Sequence, residues 1–322
     1  MTRPVLVAGE TLVDFIPEQT GPLAAVESFS RRAGGAPANV AVGLAHLDSV
    51  PLFWTRVGDD AFGDYLRETL ADAGLDDTYV EVDPTAKTGL AFVSLGEEAD
   101  REFSFHRHES ADTRLQPGTV DDEVLADVEW VHVGGVTLAD EPGRTATLDL
   151  VERAGAHGAT VSFDPNARPE LWASDEFSFV ETVEDVIEQV DVLKASPDDL
   201  AEAGIAYDDP EETATALLDR GPHTVFLTLG GEGSFAAATA EAPWTEGRES
   251  TFHDGYTVEP VDTTGAGDAF TAGAIAALVD GAPLGEALGF ANAVAAVTTT
   301  APGAMTALPT RDEVAAFRAE QS

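Results

Sequence analysis

The chain has 322 residues, 43% of them hydrophobic, which suits two domains or one large α/β domain and excludes global disorder. It has no cysteine, so disulfide frameworks, cysteine–zinc sites and thiol nucleophiles are excluded. Lys and Arg number 17 against 59 Asp and Glu, a net charge of −42 that repels a phosphodiester backbone and argues against nucleic-acid binding.

The opening MTRPVLVAGE runs straight into a buried strand over 5–9, with no signal-peptide core before it. No apolar run approaches 18 residues, so no membrane span is expected and the predicted location is cytoplasmic. Residues 12–31, containing VDFIP and ESFSRR, interrupt the pattern that follows. Helical spacing returns over 36–47, then a strand over 51–57. Residues 60–73 carry Phe62, Leu66 and Leu70 at i, i+4 intervals, the stripe of a helix facing a core. TGLAFVSL and REFSFHR, within 88–107, read as an antiparallel hairpin joined by the polar turn GEEAD. Strands are predicted at 130–135, 160–164, 191–196 and 224–231, with helices at 142–156, 177–189 and 211–220 between them. This alternation argues for a parallel sheet flanked by helices. The last stretch is helical, over 266–280, 284–300 and 310–319. Strands inserted between parallel units point to a second, smaller sheet.

Several signatures are missing. Neither lysine, Lys87 or Lys194, has a glycine before it, so there is no GxxxxGK[ST] phosphate loop. GxSxG and HExxH are absent as well. His106 and His108 lie two apart with no evident third ligand, and read as ordinary strand residues.

Two motifs carry chemistry. In DTTGAGDAFTAG (262–273), Gly265, Ala266 and Gly267 form a small-residue turn directly before an apolar helix. Orphan N–H groups and the helix dipole there favour an anion, with Asp268 beside it in the first turn. The alternative is that Asp268 serves the dipole and the glycines serve packing. In GGAPANVAVG (34–43), Gly34 and Gly35 permit close backbone approach. Asn39 either caps the helix or faces a ligand.

Together, GGAPANVAVGLAHL, VGDDAFGDYL and DTTGAGDAF, in this order and spacing, resemble the two signatures of the PfkB (ribokinase-like) carbohydrate kinases over essentially the whole chain. GETLVDFIP, REFSFHRHESAD and FDPNARPELW are most similar to the fructokinases of that family. The resemblance implies a ribokinase-like three-layer α/β/α sandwich with a small β-sheet lid. The core would comprise 1–11, 34–87 and 109–322, and the lid 12–33 and 88–108. It implies ATP-dependent phosphorylation of a sugar primary hydroxyl, fructose to fructose 6-phosphate, with 2-keto-3-deoxygluconate kinase as the alternative. The other class, a non-catalytic sugar- or nucleotide-binding regulator, fits poorly with an intact GAGD.

By the same resemblance, Asp268 would be the catalytic base and the N–H groups of Gly265, Ala266 and Gly267 an anion hole. Asp14, Gly34, Gly35, Asn39 and Arg168 would meet the sugar. Phe103, Phe105 and Arg107 would reach it from one side of a lid strand. Asn166, Lys194, Thr228, Gly230, Gly233 and Asn292 would serve ATP. Mg²⁺ would bridge the phosphates largely through water. A monovalent cation, K⁺ in a potassium-rich cytoplasm, would lie by Asp262, Thr264, Thr298, Ala301 and Gly303. One departure is Ser196-Pro197-Asp198-Asp199, where many relatives carry N-x-x-E. A lid with exposed strand edges implies a homodimer. The acidic residues recur along helical segments as solvated faces, a composition similar to that of salt-in halophiles.

Overall fold

The computed structural model describes residues 5–95, 101–172 and 177–321. The strands are β1 (Val5–Ala8), β2 (Leu12–Pro17), β3 (Phe29–Gly34), β4 (Leu52–Gly58), β5 (Val80–Asp83), β6 (Leu90–Leu95), β7 (Arg101–His106), β8 (Trp130–Gly134), β9 (Thr160–Asp164), β10 (Val192–Ala195), β11 (Thr224–Thr228), β12 (Ser234–Ala238) and β13 (Glu249–His253). The helices are α1 (Ala36–His46), α2 (Ala61–Asp72), α3 (Asp122–Leu125), α4 (Gly143–His157), α5 (Phe179–Ile187), α6 (Pro197–Glu202), α7 (Pro210–Leu218), α8 (Ala266–Val279), α9 (Leu284–Thr299) and α10 (Arg311–Glu320).

Nine strands form the large sheet, in the order β13-β12-β11-β10-β9-β8-β1-β4-β5. From β11 to β5 every pairing is parallel. The runs VLVA, WVHVG and VLKA are buried throughout, as strands covered on both faces must be. The expectation of a purely parallel sheet needs correcting at one edge, because β12 and β13 are antiparallel. Only residues 229–233 separate β11 from β12, too few for the crossover that a parallel neighbour requires.

Side-chain alternation splits the core into two apolar layers. Val5, Val7, Phe53 and Phe226 join α1, α8 and α9 on one face. Leu6, Ala8, Trp54, Phe163 and Leu227 join α4, α5 and α7 on the other. The result is a three-layer α/β/α arrangement. In α2 the predicted stripe is present, with Leu66 and Leu70 buried and Phe62 packed at the margin. Asp60 caps that helix, accepting from the N–H groups of Phe62 and Gly63.

The second sheet is four-stranded, in the order β3-β2-β6-β7. β6 and β7 pair antiparallel, as expected, while the turn at 96–100 lies outside the described residues. Register puts Asp14, Arg32, Ala91 and Phe105 on one face. The other face carries an aromatic cluster in which Phe15 stacks on Phe92 at 4.9 Å and meets Phe62 of α2 edge-on. Among the described residues no helix is long and apolar enough to cross a membrane.

Candidate active site

The parallel strands end together, and the loops after β9, β10 and β11 open into a cleft of about 850 Å³ bordered by the N-terminus of α8. Open α/β sheets place ligands at this carboxyl edge. Asn166, Arg168, Lys194, Thr228, Gly230, Gly233, Gly265, Ala266, Gly267, Asp268 and Asn292 all line it. Residues from five separate stretches of sequence therefore share one cavity.

Gly265 is the N-cap of α8 at φ +78°, with Ala304 where a Cβ would go, so the turn needs glycine. Ala266 N–H is already given to the Thr263 carbonyl at 3.2 Å. Of the three donors expected at this turn, Gly265 and Gly267 are the ones that this bond does not engage. Lys194 supplies the charge there: a Cβ on Gly267 would stand 3.1 Å from its Nζ. Lys194 is buried and held by Asp164 at 2.9 Å. Burial favours neutral forms of both, and their mutual attraction opposes it.

Asp268 Oδ2 accepts from Asn39 Nδ2 at 2.7 Å, so the polar residue of α1 reaches the acid of α8 across 229 positions. Of the two readings of Asn39, the helix cap is not the one adopted: its side chain reaches the Asp268 carboxylate instead. Asn166, at φ +45°, also bonds Asp268 through its side chain. Burial pushes the Asp268 carboxyl above the ordinary carboxylate range, against the opposing pull of Asn39, Lys194, Arg168 and Asn166.

Asp199 and Ser196 form a capping box on α6. Asp199 Oδ2 accepts from the N–H and hydroxyl of Ser196, and Oδ1 from Ala167 N–H at 2.8 Å. The pair thus braces the loop that carries Asn166 and Arg168. Burial alone would raise Asp199, but Lys194 and these donors outweigh it and hold the carboxyl low.

On the sugar side expected from sequence, the Asp14 carboxylate lies over Gly34 so closely that a Cβ there would overlap it. Gly35, at φ +106°, lets α1 start against the Glu10 carbonyl. Phe103 and Phe105 stack at 5.7 Å, and the Arg168 guanidinium lies 5.7 Å from the Phe103 ring. Arg107 is placed differently from the expectation. It lies one residue beyond β7, 3% exposed, with Nε and Nη2 each 2.6 Å from Asp112 Oδ2. Charge pairing, not strand alternation, decides its direction.

At the far end of the cleft, Gly230 and Gly233 both adopt positive φ, and Asn292 Nδ2 donates to Ser234 Oγ and the Leu288 carbonyl. Of the residues expected around a monovalent cation, Asp262, Thr264 and Gly303 come together. Asp262 Oδ1 accepts from Thr264 N–H and hydroxyl, while Oδ2 accepts from Gly303 N–H at 2.9 Å. Thr298 and Ala301 sit at the end of α9 and just beyond it, Thr298 fully buried. Among the described residues no group of three or more His, Asp or Glu could hold a metal. A divalent ion carried in by phosphates and water fits that donor set.

Sequence reasoning missed Asp164, Tyr207, Glu202 and Glu232, all at the cleft, and Glu10 and Asp112, which act on Arg107. A position signal existed for two of them. Glu10 follows β1 and Asp164 closes β9, both at the carboxyl edge of the parallel sheet.

The comparisons with known proteins agree with this geometry. The model of the pfkB family of carbohydrate kinases matches residues 2–311. Fructokinase-1 of Zea mays is 38% identical over 322 residues, covering 96% of each chain. A putative ribokinase II of E. coli, solved in complex with ATP and Mg²⁺, superposes with a TM-score of 0.87 at 29% identity, covering 98% of this chain and 99% of its own. A fructokinase double mutant of Vibrio cholerae O395, in its fructose-, ADP- and potassium-bound form, gives 0.80 at 33% identity over 97% of each chain.

Proposed function

Because the chain belongs to the pfkB family of carbohydrate kinases, we propose that it transfers the γ-phosphoryl group of ATP to the 6-hydroxyl of fructose. The observation that carries the reaction is Asp268, held by Asn39 at the N-terminus of α8 with Lys194 beside the turn. Asp268 takes the proton of the primary hydroxyl as that oxygen attacks in line. Asn39 and Asn166 fix the carboxylate, and its raised basicity suits proton abstraction near neutrality. Lys194 and the N–H groups of the Gly265–Gly267 turn meet the charge on the transferred group. Mg²⁺, when bound, neutralises phosphate charge. The cleft beyond, with Thr228, Gly230, Gly233 and Asn292, takes the nucleotide.

The four-stranded sheet serves as a lid, its Asp14–Phe105 face over the sugar, where closure excludes water. Strands β3 and β7 are its open edges, which favours pairing with a second copy of the chain. The bonds from Asp262 that tie the 262–264 turn to Gly303 fit a K⁺ site built mainly of carbonyls near Thr298, Ala301 and Gly303. The net charge of −42 supports a protein that works in molar salt.

Asp14 supports fructose over 2-keto-3-deoxygluconate, since a carboxylate at the sugar wall suits hydroxyls and repels an acid. Arg168 is the feature that favours the acid. The ratio of kcat/KM for the two sugars, with ATP in molar potassium chloride, decides between them. A preference for the keto acid overturns the assignment to fructose.

A further inference from the structure

Four stretches of chain cross between the two sheets, and one buried polar cluster touches all of them. Glu10 lies on the first crossing, after β1, and is 2% exposed. Its Oε1 accepts from Ala36 N–H at 3.1 Å on the second crossing, where β3 becomes α1. Gly89 lies on the third, and a Cβ there would stand 2.6 Å from Asp112 Oδ1. Arg107, Ser110 and Asp112 form the fourth. Ser110 donates to Asp112, and Ala111 N–H reaches back to the Lys87 carbonyl on the third crossing at 2.8 Å.

Two atoms of this cluster stand out. Glu10 Oε2 and Arg107 Nη1 are both buried and lack a hydrogen-bond partner among the described residues. The two side chains are of opposite charge type, and each influences the ionisation of the other. Buried polar atoms without partners are unfavourable, so a small movement that joins these two is favoured. A hinge is where such a movement occurs.

Resting on the sugar-kinase reading above, we propose that Glu10 is a positioning residue: Oε2 closes onto Arg107 Nη1 when the lid shuts on the sugar. Arg107 follows directly on β7, the strand that carries Phe103 and Phe105. Glu10 holds the first N–H of α1, and α1 carries Asn39 to Asp268. Lid position is thereby transmitted to the base. Burial holds the Glu10 carboxyl up at about 7, with Arg107 pulling it down and Asp112 pushing it up. Asp140 acts on the cluster through Arg107. Pairing with the guanidinium requires the carboxylate, so closure lowers its pKa and releases a proton. Sugar affinity then rises as pH rises through about 7 and levels off above it.

Fructose has no group that ionises near neutrality, so calorimetric titration of fructose at pH 7, in two buffers of different ionisation enthalpy, counts protons from the protein. The wild type should release roughly half a proton per sugar bound. Glu10→Gln keeps an acceptor for Ala36 N–H and should release none. Its affinity should match wild type at pH 6, where Glu10 is largely protonated, and fall about tenfold behind at pH 8. Binding without proton release in wild type, release that persists in Glu10→Gln, or an equal loss at both pH values overturns the proposal while leaving the kinase intact. If neither fructose nor 2-keto-3-deoxygluconate binds, the sugar reading falls and the latch falls with it.

Discussion

Asp268→Asn removes the base and preserves its shape. The amide oxygen can still accept from Asn39 Nδ2, now at 2.7 Å from the carboxylate, so no cavity opens. The loss therefore falls on proton transfer, which a positioned base accelerates by ~10²–10⁴. At about 1.36 kcal/mol per decade, that is about 2.7–5.4 kcal/mol of barrier. Sugar affinity should stay within about threefold, because the interaction lost is made in the transition state. Stability should move the other way. The folded state disfavours ionised Asp268, since burial outweighs its donors, so the charge lowers stability at any pH above the unfolded-state value. Asparagine relieves that, and the Tm at pH 7 should equal or exceed wild type, the margin vanishing as pH falls below the carboxylate range. The same raised pKa puts the acid limb of wild-type kcat/KM above that of an ordinary carboxylate. Turnover is read by ADP release in molar potassium chloride, and unfolding by circular dichroism in the same buffer. A variant keeping more than about a tenth of wild-type turnover, or one whose loss is explained by a lowered Tm, refutes Asp268 as the base.

Gly34→Ala drives a Cβ into the Asp14 carboxylate and should raise fructose KM about tenfold with ATP KM unchanged; unchanged fructose KM removes Asp14 from the sugar wall. Lys194→Met leaves Asp164 buried beside no cation and should lower stability by about 3–5 kcal/mol while weakening ATP binding. Adding Asp164→Asn should restore most of the stability, and additivity of the two changes would count against the pair. Unfolding temperature should rise with potassium or sodium chloride alike, as screening shortens to ~3 Å at ~1 M. Replacing potassium by sodium at constant ionic strength should lower turnover without unfolding, and Asp262→Asn should abolish that preference. Full activity at ~50 mM salt would remove the screening argument, whereas indifference to the cation would remove only the Asp262 site.

Much of the candidate site was legible because its local geometry is written in short stretches of sequence. The turn at Gly265 requires a residue without a Cβ, and the acid follows it in the first turn of α8, so a dozen consecutive residues encode both. The capping pair Ser196–Asp199 is encoded over a span equally short, although its bracing of Ala167 is not. Strands β12 and β13 were invisible for the converse reason. SFAAA is buried but is mostly alanine, without the β-branched residues that mark β8 to β11, and ESTFH is largely exposed. β12 is a strand because β11 offers an edge to pair with, and β13 because β12 then does the same.

Sequence by itself determined the alternating α/β architecture, the small-residue turn followed by its acid, and the strongly acidic charge balance. Each follows from spacing or composition that neighbouring residues carry together. Only the tertiary structure decided that Asn39 turns to Asp268, that Lys194 stands between Asp164 and the turn, and that Arg107 is drawn inward to Asp112 beside Glu10. Those choices are made by charges and amides brought together from segments up to 229 residues apart. Burial strengthens such interactions, so which partner each group finds depends on what the folded chain places within a few ångströms of it.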